Sequence, residues 1–209
     1  TAYELSLGLV GSEMCIRDRC NTDTSKWTIN TIFIGGGTPS LIEPDLISKL
    51  IEQLSIKFDI SNVKEFTIEA NPGESKFEYL KEYYNLGINR LSIGVQSLEP
   101  KLLKFLTRLH NPDDVFHTFE NARKAGFENI NCDLIFNIPN QPISIWKRDL
   151  QKIIDLDPEH ISCYSLTVEE NTQLFQYVKN GKVKMPSDDT NIDYYRWAQF
   201  VLALSLIHI

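Results

Sequence analysis

The chain of 209 residues is 42% hydrophobic and 23% charged, which is typical of a globular protein and excludes disordered and collagen-like chains. Its formal net charge of −7 predicts no nucleic-acid partner, because proteins that grip backbone phosphates are basic. Four scattered cysteines exclude a disulfide scaffold, and no apolar run is long enough to predict a membrane span. The composition therefore predicts one soluble domain in a reducing compartment, the cytoplasm.

The two ends of the chain differ in pattern from its middle. Residues 1–19 show neither helical nor strand periodicity and lack the basic start of a secretory signal. They resemble a peptide translated from sequencing-adapter DNA, and residues 205–209 resemble the start of another; a natural arm and a natural helix end are the alternative. We expect both segments to be non-native and residues 20–204 to be one domain that is truncated at both ends.

Between these ends, short β-branched runs alternate with amphipathic stretches. The runs predict strands at residues 31–34, 66–70, 90–95, 130–136 and 160–168. The stretch after the first strand spaces Leu46, Leu50, Ile51 and Leu54 three and four residues apart, as in an amphipathic helix. Strands and helices in strict alternation predict one α/β domain with a parallel sheet.

The predicted strands alternate apolar with polar residues, which distinguishes a barrel from a doubly wound sheet. Strands that are buried on both faces are usually continuously apolar. Here the second strand places Thr67, Glu69 and Asn71 on one face, and the fourth strand places Asn131 and Asp133 on one face. A barrel interior that opens to a polar ligand accommodates such a face, with functional groups at the carboxyl ends of the strands. We therefore predict an incomplete (βα) barrel with parallel strands.

Three glycines, Gly35, Gly36 and Gly37, follow the first predicted strand, which is expected to be buried, and precede Thr38 and Pro39. Glycines let the backbone approach a ligand and leave amide groups free to donate, although a tight turn is the alternative interpretation. The loop lacks the Gly-Lys-Ser/Thr of a P-loop and the third glycine of a dinucleotide fingerprint. It is therefore predicted to bind the amine or the carboxylate of a small zwitterion.

Four motifs occur in an order and at spacings that resemble one family. They lie at residues 31–40, 68–73, 89–97 and 133–139. Together they resemble the radical S-adenosylmethionine enzymes related to oxygen-independent coproporphyrinogen III oxidase. Within that family, residues 69–73 and 164–172 are most similar to the heme-chaperone branch. The resemblance covers about residues 28–200 and implies a radical-SAM partial barrel, in agreement with the alternation of faces.

The resemblance implies a set of residues around S-adenosylmethionine. They are Gly36, Gly37 and Thr38 of the glycine motif, Glu69 at the end of the next strand, and Gln96, Arg108 and Asp133. The cofactor's amine and sulfonium favour nearby carboxylates, while its own carboxylate favours Arg108. The alternatives are satisfied polar residues inside the barrel and, for Arg108, a surface arginine on a helix. His110 and His117 show no metal-ligand spacing and are expected to be solvated.

The family's defining motif, Cys-x3-Cys-x2-Cys, is not found in the sequence. In the family its three thiolates hold a [4Fe–4S] cluster whose fourth iron binds S-adenosylmethionine. Cys15 and Cys20 have no third partner, and Cys132 and Cys163 are expected to be small buried residues on the helix-facing side. We therefore expect no metal ligands in this chain, cluster assembly only in a full-length form, and no radical chemistry in the chain as it stands.

The resemblance leaves two functional classes open. One class oxidatively decarboxylates the propionates of a porphyrinogen; the other binds heme and passes it to recipient proteins, and the heme-chaperone details favour it. An unrelated (βα)-barrel lyase that uses Glu69 and Asp133 as acid and base is a third alternative. The expected partners are heme or a porphyrinogen and heme-recipient proteins, with heme as a further bound group beside S-adenosylmethionine.

Overall fold

The computed structural model describes residues 28–205 and residue 207. Five parallel strands form one sheet in the order β1-β2-β3-β4-β5. They are β1 (Thr31–Ile34), β2 (Glu65–Ala70), β3 (Arg90–Gln96), β4 (Asn129–Phe136) and β5 (His160–Ser165). Each strand starts within one residue of its predicted start, and β5 ends earlier than expected. The predictions for residues 1–19, for Cys15 and for Cys20 lie outside the described residues.

Helices connect the strands in the described part of the chain. They are α1 (Pro44–Lys57), α2 (Phe77–Asn85), α3 (Pro100–Phe105), α4 (Pro112–Ala125), α5 (Ile143–Ile154), α6 (Gln173–Lys179) and α7 (Asp188–Ser205). Three of them, α1, α3 and α4, begin with proline, whose fixed φ suits the first helical turn. No helix in these residues is both long and apolar enough to cross a membrane.

Most apolar residues of the strands lie on the helix-facing side of the sheet and form the core. Five that are fully buried there are Ile68, Leu91, Ile93, Ile130 and Leu134. Burying side chains of this size contributes about 1.5–3 kcal/mol each. Cys132 and Cys163 lie on the same side, as predicted, and the opposite side of the sheet carries polar residues. The alternation in the sequence therefore predicted both faces correctly.

The burial expected for strand β1 is wrong, and the face that helix α1 turns to the core was not predicted. Helix α1 contacts the core through Ile47 and Ile51, while Leu46 and Leu50 are 54% and 44% exposed. The spacing predicted the helix but did not distinguish two adjacent apolar stripes. Strand β1, which was expected to be buried, is an edge strand, and its Phe33 is 58% exposed on the face that carries the polar residues of β2.

Candidate functional site

The carboxyl ends of β1 to β4 meet at one edge of the sheet, around an open cleft with about 170 Å³ of water-accessible space. Most of its lining is polar and comes from the strand ends and the loops that follow them. The lining residues are Gly37, Thr38, Pro39, Glu69, Ala70, Asn71, Ser92, Gly94, Gln96, Arg108 and Asp133. The cleft thus collects all the residues proposed around a cofactor except Gly36, and Gly36 bonds to one of them.

The glycine loop leaves β1 in a conformation that glycine adopts without steric cost. Gly36 and Gly37 have φ angles of 85° and 65°, and a Cβ at either would meet no atom within 4 Å. Gly35 has a different role, since a Cβ there would lie 2.6 Å from the Phe33 ring and 3.0 Å from Glu69 Cδ. The first glycine therefore allows close packing over Glu69, and the other two present open backbone.

Glu69, at the carboxyl end of β2, is half-buried beside this loop. The backbone N–H of Gly36 donates a hydrogen bond of 2.9 Å to Glu69 Oε2. Two residues further along, Asn71 Nδ2 donates to Thr38 Oγ1 and to Glu74 Oε2, each at 2.9 Å. The loop is thus fixed to the end of β2 at two points, and a carboxylate lies next to open glycine backbone, an arrangement that attracts a cationic group.

Asp133 on β4 belongs to a polar network across the inner face of the sheet. Ser92 Oγ donates to Asp133 Oδ2 at 2.9 Å, and Asn131 Nδ2 donates to Oδ1 at 2.8 Å. Asn131 Nδ2 also donates to Ser92 Oγ, and Ser162 Oγ donates to Asn131 Oδ1. The network spans β3, β4 and β5, and it fixes the direction of the Asp133 carboxylate, whose two oxygens each accept one bond from a neighbour.

Gln96 ends β3 in an unusual backbone conformation. Its φ is 63°, and the pairing of β3 with β4 shifts register between Ile93 and Gln96, as at a β-bulge. A Cβ at Gly94 would lie 2.9 Å from Gln96 Nε2, so glycine leaves room for the amide. The bulge re-aims the Gln96 side chain into the lining of the cleft.

Arg108 lies in the loop between α3 and α4, and the prediction that it lies on a helix is wrong. Thr107 adopts a φ of 56° and its N–H donates to the Lys104 oxygen, while the Arg108 N–H donates to the Leu103 oxygen at 2.9 Å. These two bonds form a Schellman motif, which ends α3 and turns the chain toward the cleft. Residues 106–110 contain neither glycine nor proline, so no residue in this segment marks the end of the helix.

His110 is buried, and the expectation that it is solvated is wrong. It is 8% exposed, and its Nε2 lies 3.1 Å from the backbone oxygen of Val95. Because a carbonyl oxygen only accepts, Nε2 carries the proton. Burial lowers the pKa of His110, so the ring favours its neutral form. His117 is exposed, as predicted.

Five lining residues were not among the predicted cofactor residues, and three of these, Asn71, Ser92 and Gly94, lie on the polar face of the sheet. The signal that could have found them is the alternation that already placed Glu69 and Asp133 on the inner face. Asn71 follows Glu69 by two residues, and Ser92 and Gly94 lie on the polar side of β3. Two-residue spacing therefore adds Asn71, Ser92 and Gly94 to the cleft residues that the family motifs give.

No group of three or more His, Cys, Asp or Glu residues is placed to hold a metal ion between residues 28 and 205. Cys132 and Cys163 lie on the helix-facing side of the sheet, opposite the polar face. Burial raises the pKa of the Cys132 thiol, and burial raises that of Cys163 to about 12. Thiols in this state are poor nucleophiles and poor metal ligands, so both act as core residues.

Comparison with known proteins finds a matching family model and similar curated proteins. Residues 22–153 match the family model described as the Radical SAM superfamily. The chain is 37% identical over 175 residues to the heme chaperone HemW of Lactococcus lactis, which is 84% of this chain and 46% of that protein. It is 38% identical over 173 residues to the HemW of Bacillus subtilis, or 82% and 46% of the two chains. The chain thus spans about half the length of these curated relatives.

Solved structures agree with this match. Coproporphyrinogen III oxidase (HemN) of Escherichia coli, described as a radical SAM enzyme, superposes with a TM-score of 0.72 at 26% identity, over 84% of this chain and 40% of that one. Elp3 of Methanocaldococcus infernus superposes with a TM-score of 0.66 at 21% identity, over 80% and 44%, and supports the fold alone. The parallel α/β sheet of the radical-SAM type is therefore confirmed.

Proposed function

The chain belongs to the radical SAM superfamily, and we propose that it is the barrel segment of a HemW-like heme chaperone that binds S-adenosylmethionine in the cleft. Residues 20–204 are the segment to which this proposal applies. Because the chain spans about half of its HemW relatives, the activity and partners of the whole protein are part of the proposal. The proposed partners are heme or a porphyrinogen and heme-recipient proteins, and the proposed compartment is the cytoplasm.

The observation that carries the proposal is the pairing of Glu69 with the glycine loop. S-adenosylmethionine carries an amine and a sulfonium, which are cations, and one carboxylate. The Glu69 carboxylate, held by the Gly36 N–H, attracts the amine, and the open backbone at Gly37 allows it to approach. Arg108, which also lines the cleft, offers a guanidinium for the carboxylate. The donor set of this cleft therefore fits the chemistry of the cofactor.

The remaining lining residues orient what binds. Gln96 and Asn71 offer amide groups, and Asp133 is fixed by its network toward the same cleft. When it is bound to a [4Fe–4S] cluster, S-adenosylmethionine supplies a 5′-deoxyadenosyl radical, and that chemistry belongs to the cofactor. Membership of the superfamily favours this cofactor over the unrelated lyase alternative for Glu69 and Asp133.

A heme titration of a full-length form, with its cluster reconstituted, tests the proposal. The expected result is a Soret shift on adding heme and no decarboxylation of coproporphyrinogen in the presence of S-adenosylmethionine and a reductant. Decarboxylation without heme binding would instead support the oxidase alternative. A full-length Glu69→Gln variant should keep the fold and weaken S-adenosylmethionine binding about 10-fold or more, because it removes the charge and keeps the shape of the side chain.

A further inference from the structure

We propose that Asp149 is a positioning residue that holds Gln96 in the cleft by clamping the turn that follows β3. The inference rests on the proposed binding of S-adenosylmethionine, and it assigns a task to a carboxylate outside the cleft. Asp149 lies on α5 and is 1% exposed, whereas Gln96 lines the cleft. Ser97 and Leu98, the two residues that follow Gln96 in the chain, connect Gln96 to Asp149.

Gln96 needs an external restraint because its backbone is strained. A φ of 63° is uncommon for any residue except glycine, and such conformations persist when the surroundings impose them. The following residue closes a tight turn, since the Ser97 N–H donates to the Val95 oxygen at 2.8 Å. The same Val95 oxygen also accepts a hydrogen bond from His110 Nε2. His110 lies two residues after Arg108 in the chain.

Asp149 restrains the other side of this turn with one carboxylate oxygen. Its Oδ2 accepts a hydrogen bond of 2.6 Å from Ser97 Oγ and one of 2.9 Å from the backbone N–H of Leu98. Ser97 Oγ in turn accepts a bond from the Glu99 N–H at 3.1 Å. Three consecutive residues after Gln96 are therefore tied, directly or through one hydroxyl, to a single buried carboxylate.

The second oxygen of Asp149 is paired with Arg148. Oδ1 accepts bonds from Arg148 Nε and Nη2 at 3.1 and 2.8 Å, and the same guanidinium reaches Glu99 Oε2 at 3.3 Å. The Arg148 side chain is 39% exposed, so this ion pair is weak evidence of added stability. Two directed acceptors in one buried carboxylate instead specify the geometry of the turn, which is the role that the clamp requires.

A double-mutant cycle for S-adenosylmethionine binding tests the clamp on the full 209-residue chain. Asp149→Asn should raise the dissociation constant about 5- to 10-fold in the wild-type background and less than about 2-fold in a Gln96→Ala background, since coupled residues show non-additive effects. A general loss of structure would weaken binding by the same factor in both backgrounds, and that result would overturn the proposal. Asp155→Asn, an exposed change at the C-cap of the same helix, is the matched control.

Hydrogen exchange separates failure of the clamp from failure of the proposed function. Without any ligand, Asp149→Asn should speed the exchange of the Leu98 and Ser97 amides, while Asp155→Asn should leave both unchanged. If the wild-type chain does not bind S-adenosylmethionine, the proposed function fails, and unchanged exchange at these amides would still overturn the clamp. Should Asp149→Asn not fold, Ser97→Ala, which removes the bonds of the hydroxyl to Asp149 and to Glu99 and leaves the bond from Leu98 to Asp149, gives the same two readouts.

Discussion

The backbone N–H of Gly36 and the Oε2 atom of Glu69 lie 2.9 Å apart, and this hydrogen bond joins the loop after β1 to the carboxyl end of β2. It connects residues that are 33 positions apart in the chain. The bond uses one carboxylate oxygen to hold the loop, beside backbone at Gly37 that no side chain covers. The arrangement therefore combines a fixed negative charge with an accessible surface, which is what a cationic ligand requires.

Because Asp133 belongs to a hydrogen-bond network, we expect its replacement by the neutral asparagine to lower the stability of the folded chain. In Asp133→Asn, an NH₂ group replaces an oxygen that accepts from Ser92 or Asn131, so one donor faces another donor. An unsatisfied buried group costs about 1–3 kcal/mol, and we expect the free energy of unfolding in urea to fall by that amount. The exposed change Asp193→Asn on α7 should cost less than about 0.5 kcal/mol. Equal losses in the two variants would contradict the structural role of the network.

We expect the substitution of Thr107 by glycine to stabilise the folded chain. It occupies the left-handed position at the end of α3, where glycine is favoured and a β-branched residue is strained. We expect Thr107→Gly to raise the free energy of unfolding by about 0.5–1 kcal/mol, because relief of the strain exceeds the added entropy of the unfolded chain. Thr107→Ala keeps a Cβ and should gain less; equal gains would indicate that backbone strain is not the cause.

Because the pKa of His110 is lowered in the folded chain, we expect stability to fall as the solution is acidified. Burial and the positive charge of Arg108 lower its pKa, against the opposing effects of the Val95 bond and of Asp114 and Glu74. The unfolded chain therefore binds the proton more readily, and the free energy of unfolding decreases as pH drops below about 6.5.

The measurement is the difference in unfolding free energy between pH 7.5 and pH 5.5. His110→Gln, whose amide still donates to the Val95 oxygen, should show a smaller difference than the wild type. His117→Gln, an exposed change on α4, is the control for loss of one histidine. If His110→Gln showed the same difference as the wild type, groups other than His110 would be responsible for the pH dependence of the unfolding free energy.

We expect the thiols of the two core cysteines, Cys132 and Cys163, to resist alkylation in the folded chain. Because burial raises the pKa of Cys132 and of Cys163, we expect both thiols to remain unmodified by iodoacetamide at pH 8 in the folded chain and to react in urea. Peptide mapping by mass spectrometry reads each cysteine separately from Cys15 and Cys20. Rapid labelling of Cys132 without denaturant would contradict its place in the core.

The sequence predicted the features that depend on local pattern. Strand positions, the two faces of the sheet and the polar edge follow from alternation with a period of two residues, and the cleft contains Glu69 and Asp133 as that alternation requires. The glycine loop was identified because Gly36 and Gly37 supply a conformation that few other residues adopt. These signals are short-range, so a single sequence carries them.

Features that depend on contacts between distant residues were not predicted. The clamp on the β3 turn joins Ser97 to Asp149, 52 positions away, and nothing in either local sequence indicates the other. The burial of His110 follows from its bond to Val95 across the turn, and the end of α3 at Thr107 has no glycine to mark it. Tertiary packing overrides the preference of His110 for solvent, whereas α3 ends through the local backbone bonds of Thr107 and Arg108.

Glu69 and the glycine loop are proposed to bind the amine of S-adenosylmethionine. The most direct test is an isothermal titration of the chain with S-adenosylmethionine, comparing the wild type, Glu69→Gln and the control Glu128→Gln. We predict that Glu69→Gln weakens binding about 10-fold or more, because hydrogen bonds to charged groups contribute about 1.5–3 kcal/mol, while Glu128→Gln binds as the wild type does. Equal affinities for the wild type and Glu69→Gln would contradict the claim.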